Sequence, residues 1–278
     1  MIVKHRKCQG VIIMIGAIAG DIIGSVYEAW PIKTKKFPLF SKGCRFTDDT
    51  VLTIAVADAI LEGRSYLDSV KETGRLYQNA GYGGTFYRWL LSEVTEPYNS
   101  WGNGAAMRVS PVGFAFDDEE KILSEARKTA EITHNHPEGI KGAQATALTV
   151  FLAKHRTNKG DIRRIISDRF DYDLNRSVES IRPDYQFDIS CQGTVPEAII
   201  CFLESESYQD AVRNAVSLGG DSDTLACIAG GIAEAFYGCD QEEIFKKALE
   251  YLSPDLLKTV KAFYNQYNLP CSDLVGKF

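Results

Sequence analysis

Apolar residues recur at three- and four-residue spacing along most of the chain, in runs rich in Ala, Ile and Leu. Such runs specify helices, and the strict alternation of a half-buried strand is nearly absent. The pattern predicts helices over 11–28, 50–62, 65–79, 119–133, 139–154, 195–205, 208–217, 223–237, 241–252 and 254–267. Those at 139–154, 195–205, 208–217 and 223–237 read as buried, and those at 241–252 and 254–267 as amphipathic. Gly, Pro and Asn gather at 31–47, 80–85, 95–112 and 182–194, which marks loops. The stretch 155–188 is the most polar and reads as an insertion or an edge helix. The expected class is all-α, a compact bundle of about ten helices. One domain over 1–278 is expected, because no break in composition, fixed-period repeat or low-complexity segment divides the chain.

The first run needs separate treatment. MIVKHRKCQGVIIMIGAIAG has a basic start, a short apolar stretch and Ala17-Ile18-Ala19, the outline of a cleavable signal. The apolar pattern continues past that point through Ile22, Ile23 and Val26, so 11–28 reads as the first core helix. Gly16, Gly20 and Gly24 line one face of it. Glycine costs helix stability, so the stripe predicts a second helix packed very close. Asp21 interrupts a run already too short to span a bilayer. It is expected to be a buried residue bonded to backbone groups.

Composition narrows the class. The chain has 278 residues, 45% hydrophobic and 24% charged, enough for a core without disulfide staples. A net charge of -6 argues against an extended nucleic-acid surface, and no stretch qualifies as a membrane span. Seven cysteines (Cys8, Cys44, Cys191, Cys201, Cys227, Cys239, Cys271) show no CxxC spacing. That suits a reducing, cytoplasmic setting and argues against zinc or a disulfide framework. Oligomeric state leaves no readable mark.

Two acidic clusters carry the candidate chemistry. Thr47-Asp48-Asp49-Thr50 and Asp221-Ser222-Asp223-Thr224 each open an apolar helix, some 170 residues apart. One reading is local: Thr and Asp cap helices, and acids in a first turn suit the helix dipole. The other is a metal site. If the two helix starts converge, four carboxylates repel one another, and unpaired buried charge costs several kcal/mol per ion, roughly. Neither motif holds a Lys or Arg in common to balance them. An all-oxygen set of this kind selects Mg²⁺, Mn²⁺ or Ca²⁺ over zinc. Gly219 and Gly220 give the second loop unusual backbone freedom.

Six blocks, read together, resemble the ADP-ribosylglycohydrolase family, which includes the ADP-ribosyl-acceptor hydrolases and the dinitrogenase reductase activating glycohydrolase. They are GAIAGDIIGSVYE (16–28), FTDDTVLTIAVADAI (46–60), WGNGAAMRVSPVGF (101–114), ITHNHPEGIKGAQATA (132–147), TVPEAI (194–199) and GGDSDTLACIAGGIAEAFYG (219–238). The resemblance implies an all-α fold with a two-metal centre that releases ADP-ribose from an acceptor, with an ADP-ribosylated protein as the expected partner. It implies that Thr47, Asp48, Asp49, Asp221, Asp223 and Thr224 hold two Mg²⁺, or Mn²⁺. Glu28 is the candidate catalytic carboxylate, and Asp48 and Asp49 are alternatives for the base. Asp48 is also carried over as a substrate contact. So are Gly102, Asn103, Gly104 and Met107, the glycines to let backbone amides approach a diphosphate and Asn103 to bond a ribose hydroxyl. Ser100 and Ser110 are phosphate contacts by the same route, and His134 a ligand neighbour. His136, before Pro137, is expected to shape a turn, and Arg108 is either a ligand contact or an ion-pair partner.

Two rival readings fit the same residues. One is a non-catalytic ADP-ribose binder or crystallin-like relative. The other is a two-metal hydrolase of phosphoesters, which also uses paired carboxylates. Tyr82, Phe86, Tyr87 and Trp89 suit either adenine stacking or the core.

Overall fold

A computed structural model describes residues 14–238 and 241–267. The basic start of the signal-like stretch, Cys8, Cys239 and Cys271 lie outside the described residues, as do positions 11–13 of the first expected helix. The described residues form fifteen helices and no strand. They are α1 (Ile15–Ala29), α2 (Asp48–Glu62), α3 (Tyr66–Leu76), α4 (Gly84–Leu91), α5 (Gly104–Met107), α6 (Ser110–Ala115), α7 (Glu119–Glu131), α8 (Pro137–Lys154), α9 (Lys159–Phe170), α10 (Val178–Ile181), α11 (Cys191–Leu203), α12 (Tyr208–Ser217), α13 (Ser222–Tyr237), α14 (Glu242–Leu249) and α15 (Pro254–Gln266).

The boundaries follow from caps. Thr47, Asp118, His136, Ser190, Ser207 and Ser253 each accept a backbone N–H two or three residues on, satisfying an otherwise orphaned donor. Two expected starts move for this reason. The helix expected from 139 begins at Pro137 behind the His136 cap, so His136 does shape that entry. The helix expected from 195 begins at Cys191 behind Ser190. Polar 155–188 resolves into α9 and α10, and the loop expected at 95–112 contains the short α5 and the start of α6. Single turns of this length show no periodicity to read.

α1 and α13 run antiparallel through the centre and share the most extensive helix contact. α1 is buried from Ile15 to Ser25. Its glycine stripe lies against α13: a Cβ on Gly16 would meet the Gly230 carbonyl oxygen at 2.5 Å, and one on Gly24 the Asp223 Cα at 2.5 Å. Gly20 faces the Ala226 carbonyl in the same way. The expected close-packed partner is therefore α13, and no larger side chain fits between the backbones. The Gly16 N–H donates to Glu234 Oε2 at 2.5 Å, and Tyr208 Oη donates to the Gly16 carbonyl at 2.8 Å.

This contact sets the site. Gly24 against Asp223 brings the first turn of α13 to the C-terminal half of α1, one turn from Asp21. α2 enters the same region through Thr47. Among the described residues no helix is long and apolar enough to cross a membrane.

Candidate metal centre and substrate cleft

Asp21 lies wholly buried in the apolar wall of α1 and binds α2 rather than its own helix. Its carboxylate accepts from Thr47 N at 2.9 Å, Thr47 Oγ1 at 2.7 Å, Thr50 N at 3.2 Å and the Thr50 hydroxyl. The expected backbone bonds are present, but they anchor the first turn of α2. That anchor brings Asp49 to Asp21 and Asp223, and the three offer oxygens within 4.8 Å of one another. Glu28, Asp221 and Asp223 form a second such trio. Asp223 belongs to both.

The distant acidic turns thus converge, as the metal reading requires. α13 reaches this position through consecutive positive φ angles at Gly219 (71°) and Gly220 (84°), where a side chain would be strained. Burial raises the Asp49 and Asp223 pKa values far above the usual carboxylate range. The charge of Asp21 adds most to the effect on Asp49, and that of Asp221 to the effect on Asp223. Burial raises Asp48 to about 8 and Asp21 to about 6. Glu28, at the mouth, is raised first by its partial desolvation and then by Asp221, against the opposing charge of Arg45.

Do these residues fit a divalent cation? Asp49 Oδ1 is buried without a hydrogen-bond partner. It stands among carboxylates that all need positive charge, and the donor set is oxygen throughout. They fit. The other expected ligands are placed as follows. Thr47 Oγ1 caps α2 and donates to Asp21, and Thr224 Oγ1 donates to Asp49 Oδ2 at 3.4 Å. Asp48 stands in the cleft wall near Gly81 and belongs to neither trio.

The acids form one end of a cleft of about 400 Å³. Ser100, Gly102, Asn103, Gly104, Met107 and His134 line the other end. The glycine loop is fastened to the following chain: Asn103 N donates to the Ile189 carbonyl at 2.8 Å, and Cys191 N to the Trp101 carbonyl at 2.9 Å. Two sequence expectations change here. The Gly102 and Asn103 amides are already spent, on Ser100 Oγ (3.1 Å) and Ile189 respectively, so they do not stand free for a diphosphate. The Asn103 amide nitrogen donates to Asp221 Oδ2 at 2.7 Å and Thr194 Oγ1 at 3.1 Å, which ties the loop to the acids.

Ser110 is not brought to the cleft. It opens α6, buried, with its Cβ against Gly231 of α13. Arg108 makes no ion pair among the described residues; it is fully buried and bonds Thr129 and Thr133. Of the aromatics left open, Phe86 lines the cleft, while Trp89 packs in the core. Sequence reasoning missed Tyr98, Arg45, Phe187 and Ile189 as lining residues. Phe187 and Ile189 are 56% and 60% exposed, and large apolar side chains that open to water at a pocket mouth suit a ligand face. They sit in a loop without periodicity, so only their hydrophobicity in a polar stretch signalled them.

Comparison with known proteins identifies the chain's relatives. Residues 5–272 match the ADP-ribosylglycohydrolase family. ADP-ribosylhydrolase ARH3 of Homo sapiens is 27% identical, covering 91% of this chain and 91% of its own length. The Mus musculus ARH3 is also 27% identical, covering 86% and 85%. A putative ADP-ribosyl glycohydrolase, L543, of Acanthamoeba polyphaga mimivirus is 25% identical, covering 81% and 85%. A solved ADP-ribosylglycohydrolase-related protein complex superposes with a TM-score of 0.63 at 21% identity, covering 95% of this chain and 96% of that one, which shows the shared fold.

Proposed function

The chain belongs to the ADP-ribosylglycohydrolase family, and from that premise we propose that it hydrolyses the glycosidic bond between ADP-ribose and an acceptor at the acid end of the cleft, with two divalent cations as cofactor. The observation that carries this reading is Asp223, common to two carboxylate trios at the wall of a cleft sized for a nucleotide sugar. Asp49 and Asp223 would hold one Mg²⁺ or Mn²⁺, and Glu28, Asp221 and Asp223 the other, with Thr47, Asp48 and Thr224 beside them. Bound there, the cations supply positive charge for the ribose hydroxyls and lower the pKa of a water.

The chain's own residues do the rest. Asp21 holds Thr47 and Thr50, and so fixes the direction in which Asp49 points. The loop from Ser100 to Gly104, Met107 and His134 receive the nucleotide, with Phe187 and Ile189 as apolar walls. This orients the ribose C1″ toward the acids. In hydrolysis the bond from C1″ to the acceptor breaks and C1″ gains the water oxygen; one water proton leaves to a base and the acceptor gains one. Glu28 suits both transfers. Its carboxyl is at the mouth, in reach of solvent. The acceptor leaves through that mouth.

The test is a panel of ADP-ribosyl-serine peptide, ADP-ribosyl-arginine, O-acetyl-ADP-ribose and ADP-ribosylated nucleic acid, each with Mg²⁺ or EDTA. Release of free ADP-ribose that stops in EDTA is the expected result. Release indifferent to EDTA would remove the cations from the reading. Tight ADP-ribose binding without turnover on any substrate would leave a binding protein in place of an enzyme.

A further inference from the structure

His134 is 5% exposed, and its ring lines the loop end of the cleft. Its Nδ1 lies 2.7 Å from the Thr133 hydroxyl. The direction of that bond decides which nitrogen carries the imidazole proton, and a third residue sets the direction. Arg108, 0% exposed, donates from Nη2 to the Thr129 carbonyl at 2.7 Å and to Thr133 Oγ1 at 2.9 Å. A guanidinium only donates, so Thr133 Oγ1 is an acceptor on that side. The single hydroxyl proton turns away from the cation, toward His134 Nδ1 and the neighbouring Tyr98 hydroxyl; the phenol has a proton of its own to donate to the second lone pair of Thr133 Oγ1, which leaves Nδ1 as the acceptor. An Nδ1 that accepts is unprotonated, so the neutral ring carries its proton on Nε2. A charged ring would place a second buried cation beside Arg108, and burial together with that charge holds the imidazole pKa well below its usual value.

Nε2 points to the glycine loop. A Cβ built on Gly104 would lie 3.1 Å from it, and one on Gly102 3.4 Å. Nε2 makes no hydrogen bond among the described residues. A donor is thus turned into the cleft with no protein acceptor.

We propose that Arg108 and Thr133 are positioning residues that lock His134 as the neutral Nε2–H tautomer, so that the ring donates to an acceptor oxygen of ADP-ribose. The ligand in this statement rests on the proposed function; the tautomer does not. The relay is a chain of donors, Arg108 to Thr133 to His134 to ligand, each one fixing the next.

The experiment uses the full chain with ¹⁵N-labelled histidine. The chain has four histidines, so a His134→Gln variant identifies the His134 signals. Long-range ¹H–¹⁵N spectra of the free wild type are expected to show Nδ1 bare and Nε2 protonated. Thr133→Val keeps the branched shape and removes the hydroxyl; it is expected to mix the tautomers and weaken ADP-ribose binding about tenfold by calorimetry. Thr133→Ser is expected to restore both, with affinity within about twofold of wild type. A wild-type ring protonated on Nδ1 overturns the proposal, as does a Thr133→Val protein with unchanged spectrum and affinity. If Thr133→Val does not fold, the wild-type and Thr133→Ser spectra decide the tautomer alone. A wild type that does not bind ADP-ribose overturns the ligand half, and with it the reading of the cleft.

Discussion

The two ends of the cleft solve opposite problems. At the loop end, Arg108 Nε and Nη1 and His134 Nε2 apart, polar atoms satisfy one another: Gly102 on Ser100, Asn103 on Ile189, Arg108 Nη2 on Thr133 and Thr133 on His134. At the acid end they do not. Asp21, Asp49 and Asp223 crowd together with raised pKa values, and Asp49 Oδ1 has no donor. The supports differ too. The satisfied end is a loop, held by its own bonds. The frustrated end sits on α1, α2 and α13, where α1 and α13 are locked by backbone contact. Groups that repel need a rigid scaffold to stay together, and this one leaves no room to relax. Local chemistry that conflicts with stability marks a site kept for function.

The largest effect should come from the residue common to both trios. Asp223→Ala is expected to lower ADP-ribose release by about 10³-fold or more, equivalent to roughly 4 kcal/mol of transition-state stabilisation. The same variant should not unfold. In EDTA it loses a buried, repelled carboxylate, so its Tm should equal or exceed that of wild type. Near wild-type turnover would erase the contrast between the two ends.

A pH series sharpens the contrast next. Asp21 is raised to about 6 and Asp48 to about 8, with Asp49 and Asp223 well above their usual value, chiefly by burial. An unfolded Asp titrates near 3.9, roughly. Between the unfolded and folded values the native state binds more protons, so stability falls as pH rises. In EDTA the cluster should therefore cost stability between about pH 4 and pH 8. The Tm advantage of Asp223→Ala over wild type is expected to widen from pH 5 to pH 8 by roughly 5 °C, about 2 kcal/mol. Saturating Mg²⁺ should remove the widening. A gap constant with pH would mean that the folded protein does not hold these carboxyls protonated above their unfolded range.

Much of the acid end was legible in the sequence and less of the loop end, for a physical reason. A glycine every four residues in an apolar helix has few uses besides close packing, so the α1 face could be read. The two Asp-Thr clusters could be read because charge ahead of a buried helix needs an explanation. Asp21 carried the same signal, a lone charge in an apolar run, but its bonds to Thr47 and Thr50 are tertiary and have no local mark. The loop end depends on where 98–104 meets 187–191. That pairing involves one isolated bridge, Gly102 with Ser190, and leaves no periodic pattern. Helix boundaries were displaced where a cap, such as Ser190, lay outside the apolar run.

Asn103 joins the two ends and gives the next effect. Its amide nitrogen is shared between Asp221 at 2.7 Å and Thr194 at 3.1 Å. Removing a bond that orients a ligand costs about tenfold in metal affinity. Asn103→Ala is therefore expected to weaken Mn²⁺ binding about tenfold by calorimetry, even though the residue sits in the nucleotide loop. Unchanged Mn²⁺ affinity would show that the two ends are independent.

Ser110→Ala should have the smallest effect, and it separates resemblance from geometry most directly. By sequence Ser110 belongs with Ser100 as a phosphate contact. In the fold Ser100 lines the cleft and accepts from Gly102, whereas Ser110 is buried against Gly231 with a hydroxyl that has no partner. A buried hydroxyl without a partner contributes nothing to offset its desolvation. Replacing it with a methyl should leave ADP-ribose affinity and release within about twofold, and stability unchanged or raised by about 1 kcal/mol. Chemical denaturation and the release assay check both. A tenfold loss of binding with stability intact would mean that the hydroxyl reaches the ligand through a movement of α6. The cleft would then extend past Met107, and the loop end would no longer be the settled half of the site.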